Sequence, residues 1–284
     1  MKPRKLTLGL IQSQPTADPS ENLRQSLRLV ERAAKKGAQI ICLPELYRSA
    51  YFPQAKKAKS AQLAETIPGE STAAFSLLAS KYKVVVIVPL FEISKGRFYN
   101  SVAVIDSDGK LLGSYRKIHI PHDPLFYEQN YFAPGNQGFK VFKTRYATFS
   151  ALICYDQWFP EAARACVLAG AELLFYPTAI GNIRDYQAPE GDWRKAWMTI
   201  QRSHAIANSV HVATINRVGV EGSLRFWGSS FISDAFGNIK KLAGSSREEA
   251  LIANVDLAQN QKVSEGWGFL RNRRPASYKA LIQS

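Results

Sequence analysis

The chain has 284 residues, 46% of them hydrophobic, with 15 Phe, 12 Tyr and 5 Trp, enough apolar material for one large α/β core. No apolar run approaches the roughly 20 residues that span a bilayer, and Met1-Lys2-Pro3-Arg4-Lys5 leads into a strand pattern, not a signal-peptide core, so we expect a cytoplasmic protein without membrane contact. The formal net charge is +14, yet Lys and Arg are dispersed apart from Lys56, Lys57 and Lys59 and Arg271, Arg273 and Arg274; with no helix-turn-helix, RRM or zinc-finger pattern beside them, they predict a solvated basic surface and no nucleic-acid partner.

In chain order, Lys5 to Gln12 predicts a strand and Ser20 to Lys36 an amphipathic helix, opened by Pro19-Ser20 and stopped by Gly37. Ala38 to Leu43 reads as a buried strand that delivers Glu45 at its C-terminal end. Thr72 to Tyr82 is a second helix, and Val84 to Val88 a third buried strand. Asn100 to Ile105 and Lys110 to Tyr115 flank the turn Asp106-Ser107-Asp108-Gly109, so Lys117 leaves a hairpin strand for a loop rich in His and Pro. Ala147 to Ile153 is a buried strand ending at Cys154, and Pro160-Glu161 looks like the first turn of a helix. Leu173 to Tyr176 is a strand and Trp193 to Asn208 a helix; Val210 to Ile215, Gly228 to Asp234 and Ala250 to Asp256 are later strands. The alternation is that of an α/β layered fold. With no linker, repeat or shift in composition, residues 1–260 form one domain and 261–284 a tail, whose Trp267, Phe269 and Leu270 are too apolar for a free end.

Three cysteines make neither a disulfide framework nor a metal pair. Cys42 and Cys166, each inside an apolar run, read as small buried hydrophobes. Cys154 differs. A thiol on a strand-to-helix corner is pushed toward a crevice with backbone N–H groups beside it. Glu45 in Leu43-Pro44-Glu45-Leu46 and Lys117 in Tyr115-Arg116-Lys117-Ile118-His119 occupy similar strand-end positions. Thiol, carboxylate and ammonium are the nucleophile, proton shuttle and oxyanion partner that acyl transfer from an amide needs. His119 and His122 lack a third partner, so no metal is expected. There is no G-x-S-x-G elbow and no Gly-rich phosphate loop, so neither a serine triad nor a nucleotide or other cofactor is expected.

These residues in this order resemble the nitrilase, or carbon–nitrogen hydrolase, superfamily, from Leu6-Thr7-Leu8-Gly9-Leu10 to Arg273-Arg274-Pro275. The family's Glu, Lys and Cys map onto Glu45, Lys117 and Cys154, and its second Glu onto Glu128 in Tyr127-Glu128-Gln129-Asn130-Tyr131, at separations of 72, 11 and 26 residues. The resemblance implies a four-layer α-β-β-α sandwich and hydrolysis of a small-molecule amide or carbamoyl substrate through a thioester. It also implies a homodimer or larger homo-oligomer, joined through the helix after Cys154 and the C-terminal tail. It gives Lys117 the role of oxyanion partner, which would also ease thiolate formation at Cys154. Glu128 would orient Lys117 or the substrate.

Around Cys154 and in Tyr176-Pro177-Thr178-Ala179-Ile180-Gly181 the chain is similar to the N-carbamoylputrescine amidase branch, with Tyr155 where that branch carries Trp. The N-carbamoyl-D-amino-acid amidohydrolases carry an Arg pair after the nucleophile to grip a carboxylate; this chain has Gln157-Trp158. Candidate substrate contacts are therefore Tyr155, Trp158 and His119, with Asp185, Glu190 and Asp192 facing a cationic tail. The alternatives are an N-carbamoyl amino acid amidohydrolase or β-ureidopropionase-like enzyme and, from another class, an inert basic binding protein on the same scaffold.

Overall fold

Two opposed apolar faces on each central strand dictate the layering. The computed structural model describes residues 3–282. Its first half runs β1 (Lys5–Gln12), α1 (Pro19–Lys35), β2 (Ile40–Cys42), α2 (Glu70–Tyr82), β3 (Val85–Ser94), β4 (Arg97–Ile105) and β5 (Leu111–Arg116). The second half runs β6 (Phe142–Lys143), β7 (Thr148–Ala151), α3 (Pro160–Leu168), β8 (Leu173–Thr178), β9 (Gly181–Ile183), α4 (Trp193–Asn208), β10 (His211–Asn216), β11 (Val218–Glu221), β12 (Leu224–Trp227), β13 (Phe231–Ser233), β14 (Ile239–Leu242), β15 (Glu249–Asp256) and α5 (Ala258–Trp267).

One sheet has the order β15-β1-β2-β3-β4-β5 and the second β14-β13-β10-β8-β7-β6. Strands β1, β2 and β3 are parallel, as are β7, β8 and β10, which is why helices must carry the chain back between them. Alternation along β2 shows how the layers separate: Ile40 and Cys42 join the core between the sheets with Phe149 and Phe175, whereas Ile41 faces Val30 and Phe75 of α1 and α2. Helices α3 and α4 cover the second sheet through Ala162, Cys166 and Ala205. The result is an α-β-β-α sandwich, the expected architecture.

Helix α1 starts as expected, with Pro19 in its first turn and Asp18 accepting the Ser20 N–H at 2.8 Å, and Gly37 adopts φ +88° just beyond its end. The small antiparallel sheet β11-β12-β9 was not expected. Its strands are three or four residues long and mix Gly and charged residues with apolar ones, too short for a period to register. Strand β13 is likewise shorter than the predicted 228–234. Helix α5 crosses residue 260, so no break separates the tail from the domain at that point. Leu270 packs on the main core, while Trp267 stacks with Phe236 and Phe269 and stays 59% exposed. Among the described residues no helix is long and apolar enough to cross a membrane.

Candidate active site

The C-terminal ends of β2, β5 and β7 converge at one edge of the sandwich. Just beyond β2 the chain turns through Leu46 in the left-handed region, φ 49°, and Glu45 points inward, fully buried. Lys117 follows β5 directly; its N–H donates to Asn100 O at 2.8 Å and its carbonyl accepts from Gly135 N at 2.7 Å. A Cβ on Gly135 would collide with the Arg116 carbonyl, so only glycine lets this loop lie against the lysine strand.

Lys117 Nζ donates to Glu45 Oε1 at 2.8 Å and to Glu128 Oε2 at 2.6 Å, with all three side chains fully buried. Asn100 Nδ2 donates to Glu45 Oε1 at 2.7 Å, and the Tyr51 hydroxyl to Glu128 Oε1 at 2.7 Å. The remaining Glu45 oxygen, Oε2, is buried without a hydrogen-bond partner, a carboxylate oxygen free to take a proton. An ammonium has three donors and two are engaged here, which leaves one for a developing oxyanion.

Cys154 lies at φ 41°, in a region that a residue with a side chain seldom adopts, at the head of a 3-10 turn over Cys154–Trp158. Asp156 fixes that turn. It accepts from Ile153 N at 2.9 Å, from the Tyr115 hydroxyl at 2.7 Å and from His119 N at 3.1 Å, and it pairs with His119 Nδ1 at 2.7 Å. One buried carboxylate thus joins the cysteine turn to the segment carrying Lys117.

Electrostatics at the thiol are dominated by burial, with Lys117 acting in the expected direction. Burial pushes the Cys154 thiol well above its ordinary value, Glu45 and Glu128 add to that, and Lys117 and the Ala179 N–H oppose without prevailing. Lys117, shared between two carboxylates, offsets only part of this rise, and a nearby base such as Glu45 suits a thiol whose pKa is pushed up. Burial by itself would lower the Lys117 pKa; Glu128 and Glu45 more than reverse this and keep the ammonium charged. Glu128 is raised, chiefly by burial, with Lys117 pulling it back.

Cys154 and Glu128 open on a cleft of about 690 Å³ walled by Tyr155, Trp158, Phe126, Tyr186 and Trp193, with Asp123 and Glu190 toward solvent. Of the substrate contacts expected from sequence, Tyr155, Trp158 and Glu190 line this cleft, and the Trp193 indole N–H holds Glu190 Oε1 at 2.8 Å. The other three do not. His119 stacks on Phe159 at 3.6 Å between ring centres and is committed to Asp156. Asp192 caps α4, accepting from Lys195 N at 3.0 Å, because a carboxylate at a helix start finds unpaired N–H groups there. Asp185 is an exposed residue in the left-handed region outside the cleft wall. Sequence reasoning passed over Tyr51, Asn100, Asp123 and Asp156. The polar Asn100-Ser101 pair inside β4, at the start of the strand predicted from sequence and just ahead of the apolar run Val102 to Ile105, was a usable signal for one of them.

The class follows from the fold: the chain is an α-β-β-α sandwich hydrolase, superposing with TM-score 0.93 on the crystal structure of a carbon–nitrogen hydrolase from Helicobacter pylori G27, at 40% identity over 98% of this chain and 99% of that one. It belongs to the carbon–nitrogen hydrolase family, whose sequence model matches residues 7–265. It is 44% identical over 287 residues to the N-carbamoylputrescine amidase of Oryza sativa subsp. japonica, covering 98% of this chain and 95% of that protein. It is also 39% identical to a citrullinase of Francisella tularensis subsp. tularensis, over 98% of both chains.

Proposed function

We propose that this protein hydrolyses N-carbamoylputrescine to putrescine, ammonia and carbon dioxide, with Cys154, Glu45 and Lys117 as its catalytic residues. Cys154 Sγ attacks the ureido carbonyl carbon while Glu45 takes the thiol proton. Lys117 and the Tyr155 N–H, at the open start of the 3-10 turn, hold the oxyanion. Glu45 passes its proton to the departing amine nitrogen, leaving a carbamoyl thioester on Cys154. Water then attacks that thioester, giving up a proton to Glu45; the C–S bond breaks, Cys154 Sγ takes that proton back, and the released carbamate falls to ammonia and carbon dioxide. Glu128 orients Lys117 and keeps it charged.

One observation carries the substrate reading. On a chain of net charge +14, the exposed charged residues lining the cleft are Asp123 and Glu190, both acidic, while Glu128 at its floor is paired with Lys117. With Tyr155, Trp158 and Trp193 beside them they suit an ammonium tail by charge and by cation–π contact. A second reading is favoured by the citrullinase relative, since citrulline is N-carbamoylputrescine with a carboxylate added beside the ammonium. The kcat/KM for N-carbamoylputrescine should exceed that for both citrulline and N-carbamoyl-β-alanine, because among the described residues no Lys or Arg lines the cleft wall to meet a carboxylate. A ratio below one against either would transfer the assignment to a carboxylate-bearing substrate.

A homodimer or larger assembly belongs to the same proposal. Leu168 on α3 is exposed, as are Tyr278, Leu281 and Ile282 in the tail, the last at 87%. Apolar surface of this kind is usually covered in an oligomer. Light scattering at micromolar concentration should give at least twice the mass of one chain; a single-chain mass would overturn this. Three buried free thiols, Cys42, Cys154 and Cys166, suit the reducing cytoplasm.

A further inference from the structure

Arg217 is the single residue between β10 and β11, fully buried and outside the cleft wall. Its guanidinium nonetheless reaches both carboxylates that hold Lys117, Glu45 and Glu128, through other groups. Nη2 donates to the carbonyls of Glu45 at 2.9 Å and Leu46 at 3.0 Å, and both terminal nitrogens lie 3.4 Å from Ser49 O. Nη1 donates to Glu221 Oε1 at 2.8 Å, and Glu221 Oε2 accepts the Tyr51 N–H at 2.6 Å. The Tyr51 ring packs 5.7 Å from the guanidinium, and its hydroxyl is the donor that holds Glu128.

We infer that Arg217 is a positioning residue for the reaction: it aims Glu45 through the backbone of the 45–49 turn and Glu128 through Glu221 and Tyr51. The inference rests on the reading of Glu45 as the proton carrier. The physical reason lies in the turn. Leu46 is left-handed, which a leucine does not favour, and the turn presents successive carbonyls inward where no water reaches them. A planar fork with several donors satisfies these carbonyls and a carboxylate at once, whereas a lysine ammonium is a single point of charge. When the fork is lost the carbonyls turn elsewhere, and Glu45 Oε2 turns with them.

A buried ion pair that merely held the fold would look similar at rest, so the test separates the two roles. Arg217→Lys should lower kcat about 10- to 100-fold with KM within about threefold, the effect of displacing a reacting group by about an ångström. In a Glu45→Asp background, where the base is already withdrawn, the same substitution should cost less than about threefold, because groups acting through one another are not additive. Equal losses in both backgrounds, a loss confined to KM, or unchanged kcat would overturn the inference. Glu221→Gln, which keeps a neutral partner for Nη1, should show the same pattern more weakly and decides the matter if Arg217→Lys does not fold. Failure of both variants to fold would assign the pair to structure alone. Glu45→Gln separates the underlying reading: retained kcat there removes Glu45 as the base, whereas an inactive Glu45→Gln beside additive losses removes only Arg217's role.

Discussion

Cys154→Ala should lower turnover of N-carbamoylputrescine at least about 1000-fold while the protein stays folded. Losing the nucleophile removes the covalent route and leaves only the binding groups and oxyanion donors, which cannot replace it. The structural change is one buried sulfur in a residue that keeps its left-handed backbone, a cavity effect of about 1 kcal/mol. Mass spectrometry of intact protein mixed with substrate should reveal a carbamoyl adduct on the parent and none on the variant. Activity above about a thousandth of the parent's would remove Cys154 from the role.

Lys117→Met should damage both chemistry and stability. Loss of an oxyanion donor is worth about 3–4 kcal/mol in comparable sites, so kcat should fall about 100- to 1000-fold. The same substitution leaves Glu45 and Glu128 buried without their common cation, an uncompensated charge costing about 3–5 kcal/mol. The stability loss should depend on pH in a set direction. Burial already raises the Glu128 pKa, and removing Lys117 takes away the interaction that holds it down. A carboxyl raised in the folded state contributes stability that is fully present below its unfolded value, about 4.3, and is lost as pH climbs through its folded value. The Tm gap between parent and variant should therefore widen as pH rises from about 5 to 8. A gap constant across that range would show that the lysine does not neutralise this pair.

Part of the site was legible without coordinates. The apolar runs ahead of Glu45 and Cys154 are strands, and the Asp106-Ser107-Asp108-Gly109 turn does place Lys117 at the exit of a hairpin. Pro160 starts a helix where local rules put one. These features depend on neighbours in the chain, through periodicity, turn chemistry and capping, and neighbours are what a sequence displays. The resemblance then supplied the sandwich and the second carboxylate, Glu128, which no local pattern singles out.

The rest depended on residues far apart. Asp185, Glu190 and Asp192 are three acids in one loop and look equivalent in sequence; the Trp193 indole holds Glu190 at the cleft wall, while a helix start takes Asp192. His119 looked like a ligand for substrate until Asp156, 37 residues on, engaged its ring. Arg217 reaches the carbonyl of a residue 172 positions earlier. The raised pKa of Cys154 lies furthest from anything local, because it sums burial, two carboxylates, an ammonium and one N–H brought together from separate strand ends and loops. The residue types, their order and their strand-end settings were in the sequence. The direction of each side chain, and the charge it carries there, came from tertiary packing, since desolvation and Coulomb energy depend on distance through space and not along the chain.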